Sequence, residues 1–260
     1  MPNWVRNRVV FREKERYKET ANWVRNRVVV MEADGMKALK EMPNWMRWVR
    51  NRIWFDEADG MEAFKEKFVK DRVFSFNNVI EMPKSLNIET GSESHRALEV
   101  YLHSLGKKDA DELAVKIGKD IAISDREYDQ RYGKLSKEAL KKYLELGKIQ
   151  VDNYLKYGYT DWYGWCNANW GTMLDAVVVS ADRLSITFDT AWDCPTPIIE
   201  RIAKALKNYT FIYDYADVLI GNSCGTYNFQ NGKQGLGTEM SGFRRGLELA
   251  HDLWLRLKLK

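Results

Sequence analysis

Three cysteines are the residues of this 260-residue chain with the clearest potential for metal binding or nucleophilic catalysis. Cys166, Cys194 and Cys224 lie far apart in the sequence, and the chain contains no Cys-x-x-Cys pair. Structural zinc sites take four ligands that usually come in close sequence pairs. His95 and His103 fall about two turns apart on one helical face and add no such pair. The spacing therefore predicts no metal site and three free thiols, as in a reducing compartment.

Cys194 is the candidate for a nucleophile. It precedes a predicted helix at residues 195–208, and the positive end of a helix favours a thiolate. Asp193 beside it can accept hydrogen bonds from the first N–H groups of that helix. The alternative is a capping aspartate next to a small buried cysteine. H-E-x-x-H, P-loop and G-x-G-x-x-G motifs are absent from the sequence, so we expect no cofactor and favour a non-enzymatic protein over an enzyme.

Aromatic residues are concentrated between residues 157 and 170, with asparagines among them. A tryptophan packs on apolar surface while it presents one N–H donor, so such a segment can line a binding pocket. The alternative is that these rings only close the core beneath an insertion. The loop at 221–225 would form a further side of such a pocket. The candidate ligand- or partner-binding residues are Trp162, Trp165, Asn169, Trp170, Trp192 and Asp193.

Basic residues are concentrated in the N-terminal third, which suggests a nucleic acid or an acidic protein surface as partner. Residues 1–80 carry 17 Lys and Arg against 12 Asp and Glu, a net charge of +5, while the whole chain carries +4. One face of a predicted strand presents Trp48, Arg50, Arg52 and Trp54, a combination that can stack bases and contact phosphates. The alternative is that duplicated segments or the C-terminal helix cover this face.

The elements that must position these residues begin with an internal repeat. Asn3–Val10 recurs unchanged as Asn22–Val29, and a third version at Trp48–Ile53 alone continues into the rest of the chain. Each copy alternates polar and apolar residues, which predicts a strand, and helical spacing follows the second and third copies. We therefore expect the third copy to be the central first strand and residues 1–41 to form a duplicated strand-helix extension. Whether Met42 is a second translation start stays open.

The remaining pattern predicts an α+β protein with a ferredoxin-like βαββαβ core. An extended piece at 74–80 precedes a helical insertion at about 92–157, in which one helix begins after Ser136 and ends before Gly147. Further strands are predicted at 176–180, 184–190, 209–215 and 226–230, and helices at 195–208 and 241–258. The predicted domains are the extension at 1–41, the ferredoxin-like domain at 42–237 and a C-terminal segment at 238–260 with an amphipathic helix.

Several motifs are similar to those of one family. They are Met1-Pro2-Asn3-Trp4 with Asn7-Arg8, Phe76–Ile80 before Met82-Pro83, Trp162–Trp165 with Asn169–Thr172, Phe188–Trp192 before Pro195, and Gly221–Gly225. In this order they resemble the YubB and phage Api-type proteins over most of residues 42–235. The resemblance implies a ferredoxin-like domain and carriage by phages and plasmids. It implies no established activity and no catalytic residues.

From this resemblance we expect a non-enzymatic phage or plasmid protein that binds a host protein in the bacterial cytoplasm. A host-defence inhibitor of the anti-CRISPR type that acts by occlusion would fit this context. A nucleic-acid-binding protein that uses the basic N-terminal third is the alternative, and an enzyme at the tryptophan-lined loops is the third hypothesis. No apolar run approaches the about 20 residues of a membrane helix, so we expect no membrane span.

Overall fold

The computed structural model describes residues 47–118, 121–219, 223–240 and 244–255. These residues form two compact units, one made of the described residues up to 80 and from 174 onwards, the other of residues 81–173. The predictions for residues 1–41 and for a start at Met42 lie outside the described residues. None of the described helices is long and apolar enough to cross a membrane.

Strands and helices are numbered in chain order over the described residues. The strands are β1 (Trp48–Phe55), β2 (Val69–Lys70), β3 (Val73–Phe74), β4 (Val177–Ala181), β5 (Ser185–Ala191), β6 (Phe211–Asp217), β7 (Cys224–Gln230) and β8 (Lys233–Glu239). The helices are α1 (Ala58–Phe68), α2 (Ser92–Ser104), α3 (Lys107–Ile117), α4 (Asp125–Tyr132), α5 (Lys137–Tyr157), α6 (Trp162–Trp170), α7 (Thr196–Ala205) and α8 (Arg244–Leu255).

A six-stranded antiparallel sheet organises the first unit, in the order β4-β5-β1-β6-β7-β8. The third sequence copy supplies β1, which pairs with β5 on one side and with β6 on the other. The order β1, α1, β4, β5, α7, β6 is the βαββαβ arrangement. The prediction of a mixed α+β protein with a ferredoxin-like core is therefore confirmed, and β7 and β8 widen its sheet.

The two faces of β1 are buried by different means. Val49, Ile53 and Phe55 alternate along one face, and each is at most 1% exposed. Their neighbours are an aromatic cluster in which Phe55 lies 5.4 Å from Phe211 and 6.0 Å from Phe64 of α1, measured between ring centroids. Burying a large apolar side chain contributes about 1.5–3 kcal/mol, so this face stabilises the unit. The opposite face is polar and is described with the candidate site.

Two segments of the first unit differ from their prediction. The piece expected to be extended at 74–80 contains a 3-10 turn at Phe76–Asn78, because the Ser75 side chain accepts a hydrogen bond from the Asn77 N–H and turns the chain. The strand predicted at 226–230 is one arm of a hairpin, whose turn places Asn231 and Gly232 at positive φ. The second arm, β8, ends at Glu239, so the predicted start of the C-terminal segment at 238 falls inside a strand.

Residues 81–173 form a unit of helices. Its core contains Leu98 and Leu102 of α2 together with Val151 of α5. The helix predicted to end before Gly147 continues to Tyr157. Gly147 is buried in its middle, where a Cβ atom would lie 2.2 Å from the Ala97 carbonyl oxygen. This glycine therefore marks the close approach of α5 to α2 and not a helix end.

Candidate functional site

Three large apolar side chains are exposed where β1 begins and where β5 and β6 end. Trp192 is 45% exposed, Val218 43% and Leu219 56%. The Trp192 N–H donates to the Arg47 carbonyl at 2.8 Å, and the Val218 N–H donates to the Trp48 carbonyl at 2.9 Å, so these residues flank the start of β1. We call Trp192, Val218 and Leu219 the Trp192 patch. Exposed apolar side chains can mark interaction surfaces when they lie close together.

The backbone of Trp192 lies in the left-handed region, with φ at 71°. For a bulky residue other than glycine this conformation is uncommon, and it costs of order 1–3 kcal/mol. The next residues hold it in place: the Thr190 hydroxyl donates to the Asp193 carbonyl at 2.8 Å, and Asp193 Oδ1 accepts from the Cys194 N–H at 2.7 Å. The structure thus presents an exposed tryptophan on a fixed and strained turn.

A buried polar network lies beneath this turn. Asn51 of β1 is fully buried, and its Nδ2 donates to Thr190 Oγ1 and to the Val49 carbonyl, each at 2.9 Å. The Tyr213 hydroxyl donates to Asn51 Oδ1 at 2.7 Å. Burial raises the pKa of Tyr213 well above its ordinary value, so the hydroxyl stays protonated and continues to donate. We call Asn51, Val49, Thr190 and Tyr213 the Asn51 network. It joins β1, β5 and β6 close to the Trp192 turn.

Cys194 contacts this network, and its chemistry differs from the prediction. Burial raises the pKa of its thiol to about 12, although a hydrogen bond with Tyr213 acts to lower it. The helix α7 begins after Pro195, and no side chain caps its first N–H groups. Asp193 therefore does not cap α7, and the thiol stays protonated at neutral pH. The thiolate hypothesis is therefore wrong, because desolvation outweighs the helix end, and the alternative of a buried, unreactive cysteine fits the structure.

The face of β1 opposite the apolar core carries the residues predicted to bind nucleic acid. In the structure, the arginines among them form ion pairs with aspartates. Arg50, 7% exposed, donates through Nε and Nη2 to the Asp189 carboxylate at 2.8 and 2.9 Å. Its guanidinium carbon lies 4.1 Å from the ring centroid of Trp254 on α8. Arg52 donates to Asp214 at 2.6 and 3.1 Å and to Asp252 of α8 at 3.0 Å.

A phosphate at this face would have to displace carboxylates and α8. Burial raises the pKa of Asp189, while the bond to Arg50 lowers it. Trp48 and Trp54 are half-buried on the same strand. Arg47 forms a further ion pair with Asp217 at the start of β1. The alternation predicted for Trp48, Arg50, Arg52 and Trp54 is therefore present, with the two central arginines engaged inside the protein.

The remaining candidate residues from the sequence lie in the helical unit, on α6 and not on a loop. Trp165 and Trp170 are 7% and 3% exposed, with ring centroids 5.8 Å apart in an edge-to-face arrangement. Trp162 is half-buried at the first position of the helix, and the Asn169 side chain donates to the Trp165 carbonyl at 2.9 Å. The structure thus brings Trp165 and Trp170 together as core residues, whereas Trp192 and Asp193 belong to the other unit.

A polar groove of about 480 Å³ also lies in the helical unit, where α2, α4 and α5 meet. At its base the Glu99 carboxylate, 4% exposed, accepts from Arg131 Nη1 at 2.7 Å and from the Tyr132 hydroxyl. Burial and the bond to Glu99 raise the pKa of Tyr132, so this hydroxyl remains a donor. His95 Nδ1 lies 3.5 Å from Glu99.

Sequence reasoning missed both the Asn51 network and this groove. An asparagine on the apolar face of a strand was the available signal for the network, since a buried polar side chain needs partners. For the groove, His95 and Glu99 stand one helical turn apart, but only the structure shows that α4 meets them. Within the described residues, no three His, Cys, Asp or Glu side chains group together as a metal site.

Comparison with known proteins identifies a domain family. No curated protein matches the chain. A solved structure, the protein api92 from Yersinia pseudotuberculosis, is similar at 10% sequence identity, with a TM-score of 0.34 over 75% of this chain and 98% of that one. Such a likeness says nothing about function. Residues 166–253 of this chain match the model of the ferredoxin-like domain in Api92-like proteins.

Proposed function

We propose that this chain is a non-enzymatic binding protein that attaches to a partner protein through the Trp192 patch. The observation that carries the proposal is Trp192 itself, which is 45% exposed and strained at a φ of 71°. The exposed part of Trp192 gains nothing from burial in the isolated chain, and the backbone strain costs free energy. Tryptophan is enriched among the residues that dominate the energy of protein interfaces.

The surroundings of the patch suit recognition by a rigid surface. The Asn51 network holds the turn from below, and the ladder of β1, β5 and β6 holds it from the side. A side chain fixed before binding loses less conformational entropy when the complex forms. Val218 and Leu219 add exposed apolar area directly after Asp217, which forms an ion pair with the partly exposed Arg47.

The resemblance to phage and plasmid proteins supports a host protein as the partner, in the bacterial cytoplasm. A binding protein of this kind inhibits its target by covering a functional surface, as a host-defence inhibitor of the anti-CRISPR type would. This part of the proposal rests on family context and not on the geometry of the patch.

Affinity purification from a bacterial host lysate tests the proposal with two variants of Trp192. We expect Trp192→Gly to stay folded, because glycine adopts positive φ without strain and so offsets part of the lost packing. We expect the affinity for the partner to fall about tenfold or more in both Trp192→Gly and Trp192→Ala, as it does when an interface tryptophan is truncated. Tyr163→Ala is the matched control, because Tyr163 is 48% exposed in the helical unit.

Equal recovery of the partner by the wild type and both Trp192 variants would contradict the proposal. A loss in all variants, Tyr163→Ala included, would show that the assay reports general surface hydrophobicity.

The nucleic-acid alternative makes a different prediction for salt dependence. The three repeat copies contain six arginines, namely Arg6, Arg8, Arg25, Arg27, Arg50 and Arg52. If all six contacted phosphates, the slope of log affinity against log salt would be about −4 to −5, since each phosphate contact contributes about 0.7–0.9. Because Arg50 and Arg52 are paired with Asp189 and Asp214, we expect about two contacts or fewer. Titration with labelled single-stranded RNA and duplex DNA measures the slope, and tight binding steeper than about −3 would favour nucleic acid.

A further inference from the structure

The groove of the helical unit contains two exposed guanidinium groups, each held by an ion pair with a carboxylate. The side chains of Arg96 and Arg131 are 52% and 48% exposed. Among the described residues, Arg131 forms one hydrogen bond, through Nη1 to Glu99, and its Nη2 lies 4.0 Å from Glu127. Glu93 and Glu99 balance the two arginines, so Arg96, Arg131 and Glu99 leave a formal charge of +1, with His95 neutral, only when Glu93 is displaced. A guanidinium with uncommitted N–H groups is a typical receptor for phosphate and carboxylate.

Both arginines line the same groove, and Arg131 has a buried anchor. Glu99 is buried and anchors Arg131 from α2, while Arg96 stands one turn earlier on that helix. Both guanidinium groups are close enough to the Tyr132 hydroxyl to act on its pKa, in the direction that opposes burial. Ser92 lines the same groove at the first turn of α2, where backbone N–H groups also favour an anion.

Glu93 competes with an incoming anion for Arg96. It accepts from Arg96 Nη1 at 2.8 Å and from the Tyr143 hydroxyl at 2.7 Å. The side chain of Glu93 is 65% exposed, and surface ion pairs of this kind contribute little to stability. A dianion therefore displaces Glu93 from Arg96 at small cost, and it gains the Tyr143 hydroxyl as a further donor.

We propose that this groove binds a small molecule in which a phosphate group is attached to an apolar or aromatic ring. Arg96, Arg131 and Tyr143 bind the phosphate, and the ring lies against Leu135 and the Tyr143 face. A volume of about 480 Å³ is far larger than a free phosphate requires and falls in the range of small-molecule sites. The site is separate from the Trp192 patch and stands independently of the function proposed for it.

Titration of the full chain with phenyl phosphate, followed by NMR or calorimetry, tests the site, with phenol and inorganic phosphate as comparison probes. We expect phenyl phosphate to bind more tightly than either, because phenol lacks the anion and phosphate lacks the ring. Arg96→Gln should weaken binding about tenfold, the size of a charge-assisted hydrogen bond. Glu93→Gln should strengthen binding about two- to fivefold, because it removes the competing charge.

Arg126→Gln is the matched control, since it removes the same charge from an exposed residue of α4 that does not line the groove. We expect it to bind phenyl phosphate like the wild type. The proposal is overturned by three results: no phenyl phosphate binding up to about 10 mM, equal effects of Arg96→Gln and Arg126→Gln, or weaker binding by Glu93→Gln. Melting temperatures of all three variants, each at an exposed position, verify that the fold is retained.

Discussion

Replacing Asn51 by alanine tests how the protein fixes the Trp192 turn. Asn51 is fully buried, and its amide takes part in three hydrogen bonds of 2.7–2.9 Å, with Val49, Thr190 and Tyr213. In Asn51→Ala the Tyr213 hydroxyl loses its carboxamide acceptor, and the Thr190 hydroxyl loses its donor. The variant therefore removes the link between three strands without changing any exposed surface.

The size of the effect follows from these contacts. A buried hydrogen bond contributes about 0.5–1.5 kcal/mol net, so three of them predict a loss of about 2–4 kcal/mol in the free energy of unfolding. For a unit of this size each kcal/mol shifts the melting temperature by about 2–4 °C, which predicts a shift of roughly 5–15 °C. Tyr213→Phe removes one of the same bonds, so the double variant should lose less than the sum of the two single variants.

Thermal melting followed by circular dichroism measures the shift, with Asn228→Ala as control. Asn228 is an exposed asparagine on β7 of the same sheet, so its truncation should change the free energy of unfolding by less than about 0.5 kcal/mol. Hydrogen exchange at the N–H groups of residues 191–194 should also become faster in Asn51→Ala. The reasoning is refuted if Asn51→Ala melts within about 2 °C of Asn228→Ala.

Three further predictions concern other parts of the chain. A chain beginning at Met42 should fold and melt cooperatively, because β1 to β8 all lie within it, and an insoluble product would contradict this assignment. The pKa of the Cys194 thiol is raised from near 9 to about 12, so its labelling near pH 8 should be much slower than in denaturant. Between pH 9 and 12 the folded thiol keeps a proton that the unfolded chain releases. The free energy of unfolding should therefore fall as the pH rises from 9 towards 12, and it should fall less in Cys194→Ser. Gly147→Ala should destabilise the helical unit by about 1–3 kcal/mol, because its Cβ would lie 2.2 Å from the Ala97 carbonyl, while the exposed Lys142→Ala should not.

The sequence predicted the structure best where the spacing of apolar residues determines the buried face of a strand or helix. Alternation in the third copy predicted β1, and Val49, Ile53 and Phe55 are indeed its buried face. The apolar spacing after Pro195 similarly predicted α7, whose Ile198 and Ile202 are buried. In both cases the spacing of apolar residues shows which side of the element packs on the core, so the local sequence is sufficient to predict the element.

Elements that depend on a distant partner were not predictable. All seven residues of β8 are exposed, and its glycines have low strand propensity, so only pairing with β7 makes it a strand. Gly147 resembles a helix end in sequence, but it permits close packing on α2. Arg50 and Arg52 look like a basic surface because Asp189, Asp214 and Asp252 are supplied from more than a hundred residues away.

The central place of β1 has a consequence for synthesis of the protein. Both neighbours of β1 come late in the chain, since Arg50 pairs with Asp189 across 139 residues and Arg52 with Asp214 across 162. At about 5–20 residues per second, a ribosome needs on the order of ten seconds to make β5 after β1 has been translated. During that time β5 and β6, the strands that flank β1 in the described sheet, are not yet made, whereas the helices of residues 81–173 can already pack locally. We expect the charges of Arg50 and Arg52 to oppose aggregation of the nascent strand before they become ion-pair partners in the folded sheet.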